Sequence, residues 1–382
     1  MEKIKKTLLF FCLFQIILVI AFFLSEKLPS QKETYLGRGF GEQTNKPLVW
    51  SRANFDGFHY LSIARGGYGY LQEAFFPLFP LLIRFLAPFF KGYLNAGFFL
   101  VNFAFLVMIY AFQLLMEIGK KKNLDRLLLL FLFFPTSFYF ACLYNESLFL
   151  AFVFLSFFQA KKGKWLWAGI LAALASATRV VGIFMLPALL VEFLEQNHWS
   201  FKSFLKKKHW PKLAAIGVSV LGFLAYAAYL KIKTGDWLRF ASVQAGFGAQ
   251  RTTSRLILLP QVFWRYLKMI VTVDPHQYLY FNVWLEFLVA LMFLLLLILG
   301  WGKRKKYQIP ASFLTFASFA YLLPTLTGTF SSLPRYVLAC FPAFMVLEKL
   351  LSQKRLFRIY FVFSILGFTL LAAFFFRGYW VA

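Results

Sequence analysis

Acidic side chains are rare in this sequence: 15 Asp and Glu stand against 41 Lys and Arg in 382 residues, so an acid away from the lysine clusters is conspicuous. Cysteine is sparse, and Cys12, Cys142 and Cys340 sit in separate apolar contexts without the paired spacing of a zinc site or redox motif. Of the four histidines, His198, His209 and His276 show no ligand spacing with one another, and no HExxH stretch occurs. No P-loop or dinucleotide fingerprint is found; GRGFG, Gly37 to Gly41, follows no strand and opens no obvious helix. No cofactor is expected, and no metal site is indicated. The sequence also shows no internal repeat of the kind that builds inverted-topology transporters.

Apolar residues are abundant instead. With 60% hydrophobic residues, 53 Phe and a mean hydropathy of +0.67, the chain has far more apolar surface than a soluble core of this length can hide. It reads as an all-α polytopic membrane protein. The net charge of +26 raises the question of nucleic acid, and the placement of the basic residues answers it. Clusters at Lys3/Lys5/Lys6, Lys120 to Lys122, Lys161/Lys162/Lys164, Lys206 to Lys208, Lys303 to Lys306 and Lys354/Arg355/Arg358 each fall between apolar runs. That is the positive-inside pattern of cytoplasmic loops, and the partner is a lipid bilayer rather than nucleic acid.

Alternating the apolar runs against these clusters gives about eleven spanning segments in a single domain over 1–382. They lie near 7–24, 95–118, 126–142, 146–160, 165–178, 180–195, 213–230, 281–300, 310–326, 336–351 and 356–376. The basic start resembles a signal peptide, but the long apolar stretch without a small-x-small site predicts a retained first helix. The N-terminus is then cytoplasmic, and two long loops, 25–90 and 231–280, lie outside. FFPLFPLLIRFLAPFF, Phe75 to Phe90, and RLILLPQVFWRYLKMI, Arg255 to Ile270, are apolar yet broken by Pro and Arg, as interfacial helices are.

The first outer loop carries WSRANFDGFHYLSIARGGYGY, Trp50 to Tyr70, dense in aromatic and ionisable groups. Asp56 at the start of a helix would serve as an N-cap, and equally as an ionised carboxylate able to take a proton from a hydroxyl. His59 is either structural or a support for Asp56 and a donor phosphate. Glu146 opens the fourth span, where an acid complements the helix dipole or binds a sugar hydroxyl. Arg179, between two short apolar segments, is expected at a wet or paired location, or snorkelling to headgroups. Arg335, between Pro334 and Tyr336, is the better phosphate ligand, because guanidinium matches phosphate oxygens in pairs.

The string from Trp50 to Tyr68, followed by AFFPLFPLL, resembles the GPI mannosyltransferase II family, known as PIG-V, and its bacterial homologues, within the C-type superfamily of membrane glycosyltransferases (GT-C). LYNESLF, Leu143 to Phe149, is similar to the family's Y-[ST]-E-S-L-F element, with Asn145 where that element has Ser or Thr. ATRVVGI and LPRYVLACFP look like its later arginine segments. The resemblance implies a GT-C-like bundle that takes a sugar, mannose by family, from a polyprenyl-phosphate carrier at the outer face of the cell membrane. It implies transfer to the hydroxyl of a glycan or glycolipid acceptor with inversion, and Asp56 as the base. The substrate-binding candidates beside it are Arg52, His59, Tyr60, Asn145, Glu146, Arg179, Arg335 and Tyr336. A transporter or flippase of lipid-linked sugars is the alternative. It would place ionisable residues mid-membrane, whereas here they are expected at the outer ends.

Overall fold

A computed structural model describes residues 1–30, 47–119, 123–252 and 256–381. The Lys120 to Lys122 cluster, GRGFG and Arg255 lie outside the described residues. Among those described, the ordered elements are helices: α1 (Glu2–Ser25), α2 (Asp56–Gly66), α3 (Leu78–Leu86), α4 (Tyr93–Ile118), α5 (Leu124–Leu132), α6 (Glu146–Lys161), α7 (Trp165–Thr178), α8 (Met185–Gln196), α9 (Lys207–Thr234), α10 (Leu259–Thr272), α11 (Tyr278–Gly302), α12 (Ala311–Thr325), α13 (Phe341–Leu350) and α14 (Lys354–Phe376).

Each expected spanning segment holds helix, but α1, α4, α9, α11 and α14 are the ones long and apolar enough to cross a membrane by themselves. The 14 residues of α7 reach roughly 21 Å, short of the ~30 Å hydrocarbon core. The protein is a polytopic membrane protein whose long spans enclose shorter, buried helices. Apolar α6 packs between α4 and α7, and α8 against α12; α6 is buried along most of its length, while α7 and α12 each keep one apolar face outward, with Leu166 and Trp167 on the first and Phe319 and Leu322 on the second.

Two expected helices are broken, and the breaks face each other. Instead of running to 142, α5 stops at Leu132; a 3-10 turn Ser137–Ala141 follows, and irregular chain leads to Glu146. Pro135 explains the stop, because its ring clashes with helical backbone and biases the residue before it away from helix. The tenth segment divides into Leu333–Tyr336, a turn at Val337–Ala339, and α13, with Pro334 and Pro342 each opening a helical piece. The Thr136 hydroxyl donates to the Pro334 carbonyl and ties the two breaks together. Irregular backbone at such depth survives only where protein or a cavity satisfies it.

Sequence-distant ends meet as the lysine parity predicts. Lys3–Glu117, Lys6–Asp125, Lys161–Glu192 and Arg304–Glu195 ion pairs gather the lysine-rich ends. At the other end Arg377 donates to the Leu28 carbonyl, and the Tyr278 hydroxyl to the Trp380 carbonyl. The two helices expected at the interface present apolar residues outward: Leu81 and Phe85 on α3, and Trp264, Leu267 and Val271 on α10. Their opposite faces bury Phe79 and Ile83, and Val262 and Tyr266.

Candidate active site

The loop before α2 is held under constraint. Phe55 takes φ 56° and ψ −111°, a region that costs a non-glycine residue of order 1–3 kcal/mol. Its surroundings enforce it. The Asn54 amide donates to the Phe375 carbonyl at 2.8 Å, and the Phe55 ring packs against Phe375 and Trp380. The Tyr144 hydroxyl donates to the Asn54 carbonyl at 2.9 Å and accepts the Asp56 N–H at 3.2 Å. Gly57 allows the close approach: a Cβ there would lie 3.3 Å from the Leu143 carbonyl oxygen. The first loop is thereby pressed onto the segment that enters α6.

Helix α2 begins at Asp56 itself, and Phe55 holds the cap position without a side-chain cap. The expected capping role of Asp56 is not seen; its carboxylate turns to Arg335, with Oδ2 2.6 Å from Nη1. Arg335 also sets Nε 3.3 Å from Glu146 Oε1, and the same oxygen accepts from Arg179 Nη1 at 2.8 Å. Two carboxylates and two guanidiniums thus alternate in one charge-balanced array, with Glu146 and Arg335 buried and Asp56 and Arg179 partly exposed. The rings of Tyr139, Tyr144 and Tyr336 lie 5.0 to 5.5 Å from the Arg335 guanidinium carbon and enclose it. Glu146 Oε2 is buried without a hydrogen-bond partner among the described residues, so the array keeps one acceptor unused.

Other candidates support this array. The Asn145 amide donates to the Thr178 carbonyl at 2.9 Å, fixing the end of α7 from which Arg179 emerges. Arg179 lies over the Tyr336 ring at 5.0 Å, and the Tyr336 hydroxyl accepts from Arg335 Nη2 at 3.3 Å. His59 stacks on Phe75, and burial pushes its pKa below the usual 6.5 while Asp56 pulls the other way. Tyr60 packs edge-on against Phe75 and Phe79. Every candidate except Arg52 lines one cavity of about 910 Å³. Arg52 is buried away from it, donating to Gln15 on α1 at 3.0 Å, so its expected substrate contact finds no support in the geometry. Among the described residues, no three His, Cys, Asp or Glu side chains gather as metal ligands.

A second charged group in the cavity lining lies outside the expected site residues. Glu286 lies about two turns into α11, where its carboxylate accepts from the Tyr266 hydroxyl, itself 3.1 Å from Thr329 Oγ1. Arg251, Arg265 and Lys268 line the same cavity. An acid inside the run YLYFNVWLEFLVALMF was the available signal, since an intramembrane ionisable residue is a site candidate by default. Glu192, buried with Lys161 and Ser312, belongs to the lysine-rich end and does not line the cavity.

A family model described as Mannosyltransferase (PIG-V) matches residues 4–234, more than half of the chain. The chain belongs to this family. It is accordingly a membrane glycosyltransferase of the PIG-V mannosyltransferase type. The matched span includes Asp56, Glu146 and Arg179, while Arg335 lies beyond it yet joins the same array. Neither the curated proteins nor the solved structures contain a match.

Proposed function

We propose that the enzyme transfers mannose from a polyprenyl-phosphate-linked donor to a hydroxyl of a glycan or glycolipid acceptor, with Asp56 as general base. The supporting observation is the Asp56–Arg335–Glu146–Arg179 array on the wall of a cavity large enough for a sugar. The array fixes Asp56 through Oδ2, leaving Oδ1 for the acceptor hydroxyl. As that oxygen attacks the anomeric carbon, its proton passes to Asp56 and the bond from carbon to phosphate oxygen breaks. The electron pair leaves with the polyprenyl phosphate. A single displacement inverts the anomeric configuration.

Glu146 Oε2 then accepts a hydrogen bond from a sugar or acceptor hydroxyl, and Arg335 positions Asp56. Tyr60 and the stacked His59 border the sugar. The lysine-rich ends face the cytoplasm, and the cavity opens toward the outer face of the cell membrane. The decisive experiment measures transfer from labelled polyprenyl-phosphate mannose to membrane-extract acceptors by purified enzyme in lipid. Transfer by the wild type that vanishes in a folded Asp56→Asn variant supports the assignment; equal transfer by both removes Asp56 from the chemistry.

A further inference from the structure

The charges lining the cavity divide unevenly. On the Asp56 wall, two arginines meet two carboxylates, and Arg335 is already engaged by both acids. The sequence favoured Arg335 as the phosphate ligand, yet a guanidinium so committed has little left for an incoming anion. Elsewhere in the lining the balance differs. Arg251 spends Nη2 on the Ser332 hydroxyl at 3.3 Å, Arg265 spends Nη1 on the Gly328 carbonyl at 3.0 Å, and Lys268 lies over the Trp264 ring at 5.4 Å. Among the described residues, none of these three cations pairs with a carboxylate. The nearby acid, Glu286, hydrogen-bonds Tyr266 and feels the charge of Arg251 without pairing with it.

We infer that Arg251, Arg265 and Lys268 form the docking site for the phosphate of the lipid-linked substrate, while Arg335 positions Asp56. Their hydrogen-bond and ring partners here are neutral, so several N–H donors remain for an anion, and guanidinium pairs are suited to phosphate oxygens. Two features favour a phosphate attached to a lipid over a free one. Arg265 and Lys268 sit on α10, whose Trp264, Leu267 and Val271 project outward as an apolar face. The cavity beside them is bordered by Met269, Leu279, Val283 and Leu323, surfaces for the first isoprene units. The cationic side chains belong to a part of the chain beyond residue 234, where the family match ends.

This inference rests on the transferase reading for the lipid's identity, but binding tests it without transfer. Full-length protein in phosphatidylcholine nanodiscs is titrated with farnesyl phosphate and with farnesol. The triple variant Arg251→Gln/Arg265→Gln/Lys268→Gln should bind farnesyl phosphate at least about a hundredfold more weakly, and farnesol unchanged. Should the triple variant not fold, Lys268→Gln alone, at an exposed side chain, should lose about threefold to tenfold for the phosphate only. Farnesyl phosphate affinity equal to the wild type's, or an equal loss for farnesol, overturns the assignment. Competition by inorganic phosphate would make the site one for free anions. Displacement by phosphatidic acid as strong as by farnesyl phosphate would make it a bilayer-headgroup site. Either result overturns it. An Asp56→Asn variant that transfers normally would sink the base assignment and leave this binding result standing on its own.

Discussion

Lys6–Asp125 and Arg335–Asp56 are ion pairs of the same 2.6 Å length at opposite ends of the bundle. Their side chains are 28% and 65% exposed in the first pair, and 5% and 17% in the second. Distance is therefore no guide to what such a pair does. The exposed one exchanges water for a partner at little gain, whereas the buried one has given up its water and depends on that partner. Only the buried pair stands among rings and further charges beside a cavity, and only there does removal of one member leave a charge without solvent.

The largest effect should come from Asp56→Asn. The substitution keeps size and the hydrogen bond from Arg335 but removes the group that accepts the proton. Transfer should fall by about 10² to 10⁴, and the thermal midpoint should drop as well, though less than in Arg335→Gln, because Arg335 loses one charged partner and keeps Glu146; single-turnover assays and thermal unfolding in detergent will determine both. Arg335→Gln comes next and reverses the pattern, with stability suffering first. It leaves the Asp56 carboxylate without a cation while Glu146 keeps Arg179, a cost of about 3–5 kcal/mol, and Arg335→Lys should recover part of it because the charge stays while the fork is lost. A Gln variant as stable as the wild type would show that the array is wet and the comparison with Lys6–Asp125 empty.

A smaller effect follows from His59. Its folded pKa lies below its unfolded value of about 6.5, so between the two the unfolded chain takes up a proton that the folded protein does not. Any stability tied to neutral His59 is fully present above pH ~6.5 and falls as the pH drops toward the folded pKa. The thermal midpoint of His59→Asn should therefore decline less than the wild type's between about pH 7 and pH 5. Parallel curves would mean that the imidazole titrates as freely as in solvent.

The span pattern and the lysine parity were legible because long apolar runs and cationic clusters are local properties of a sequence. The breaks were not. Pro135 stood in plain sight, but the apolar residues on both sides of it, from Leu124 to Cys142, have the composition of one continuous helix. Asp56 was identifiable as a rare acid in an aromatic loop; its partnership with Arg335 was not, because the two are 279 positions apart and composition carries no distance. Arg52 shows the converse. A charge inside a suggestive string reveals that it is present, not which way it points, and this one points to Gln15. Glu286 is hard to read for another reason: a lone acid inside a hydrophobic run leaves the composition of a span unchanged, although desolvation makes such a residue informative.

Lys6→Ala should have the smallest effect and completes the comparison. The pair it breaks has ideal length, and a contact list alone would rank it beside Arg335–Asp56. With Asp125 mostly in solvent, the carboxylate left behind is stabilised by water, so the expected loss is about 0.2–1 kcal/mol and shrinks further in high salt. Thermal unfolding in 0.05 and 0.5 M salt provides the test: Lys6→Ala should shift the midpoint by less than about 2 °C at either salt, and transfer should be untouched. A shift comparable to that of Arg335→Gln would mean that the lysine-rich end is as dry as the cavity wall, and that exposure in the isolated protein does not measure solvation in the membrane.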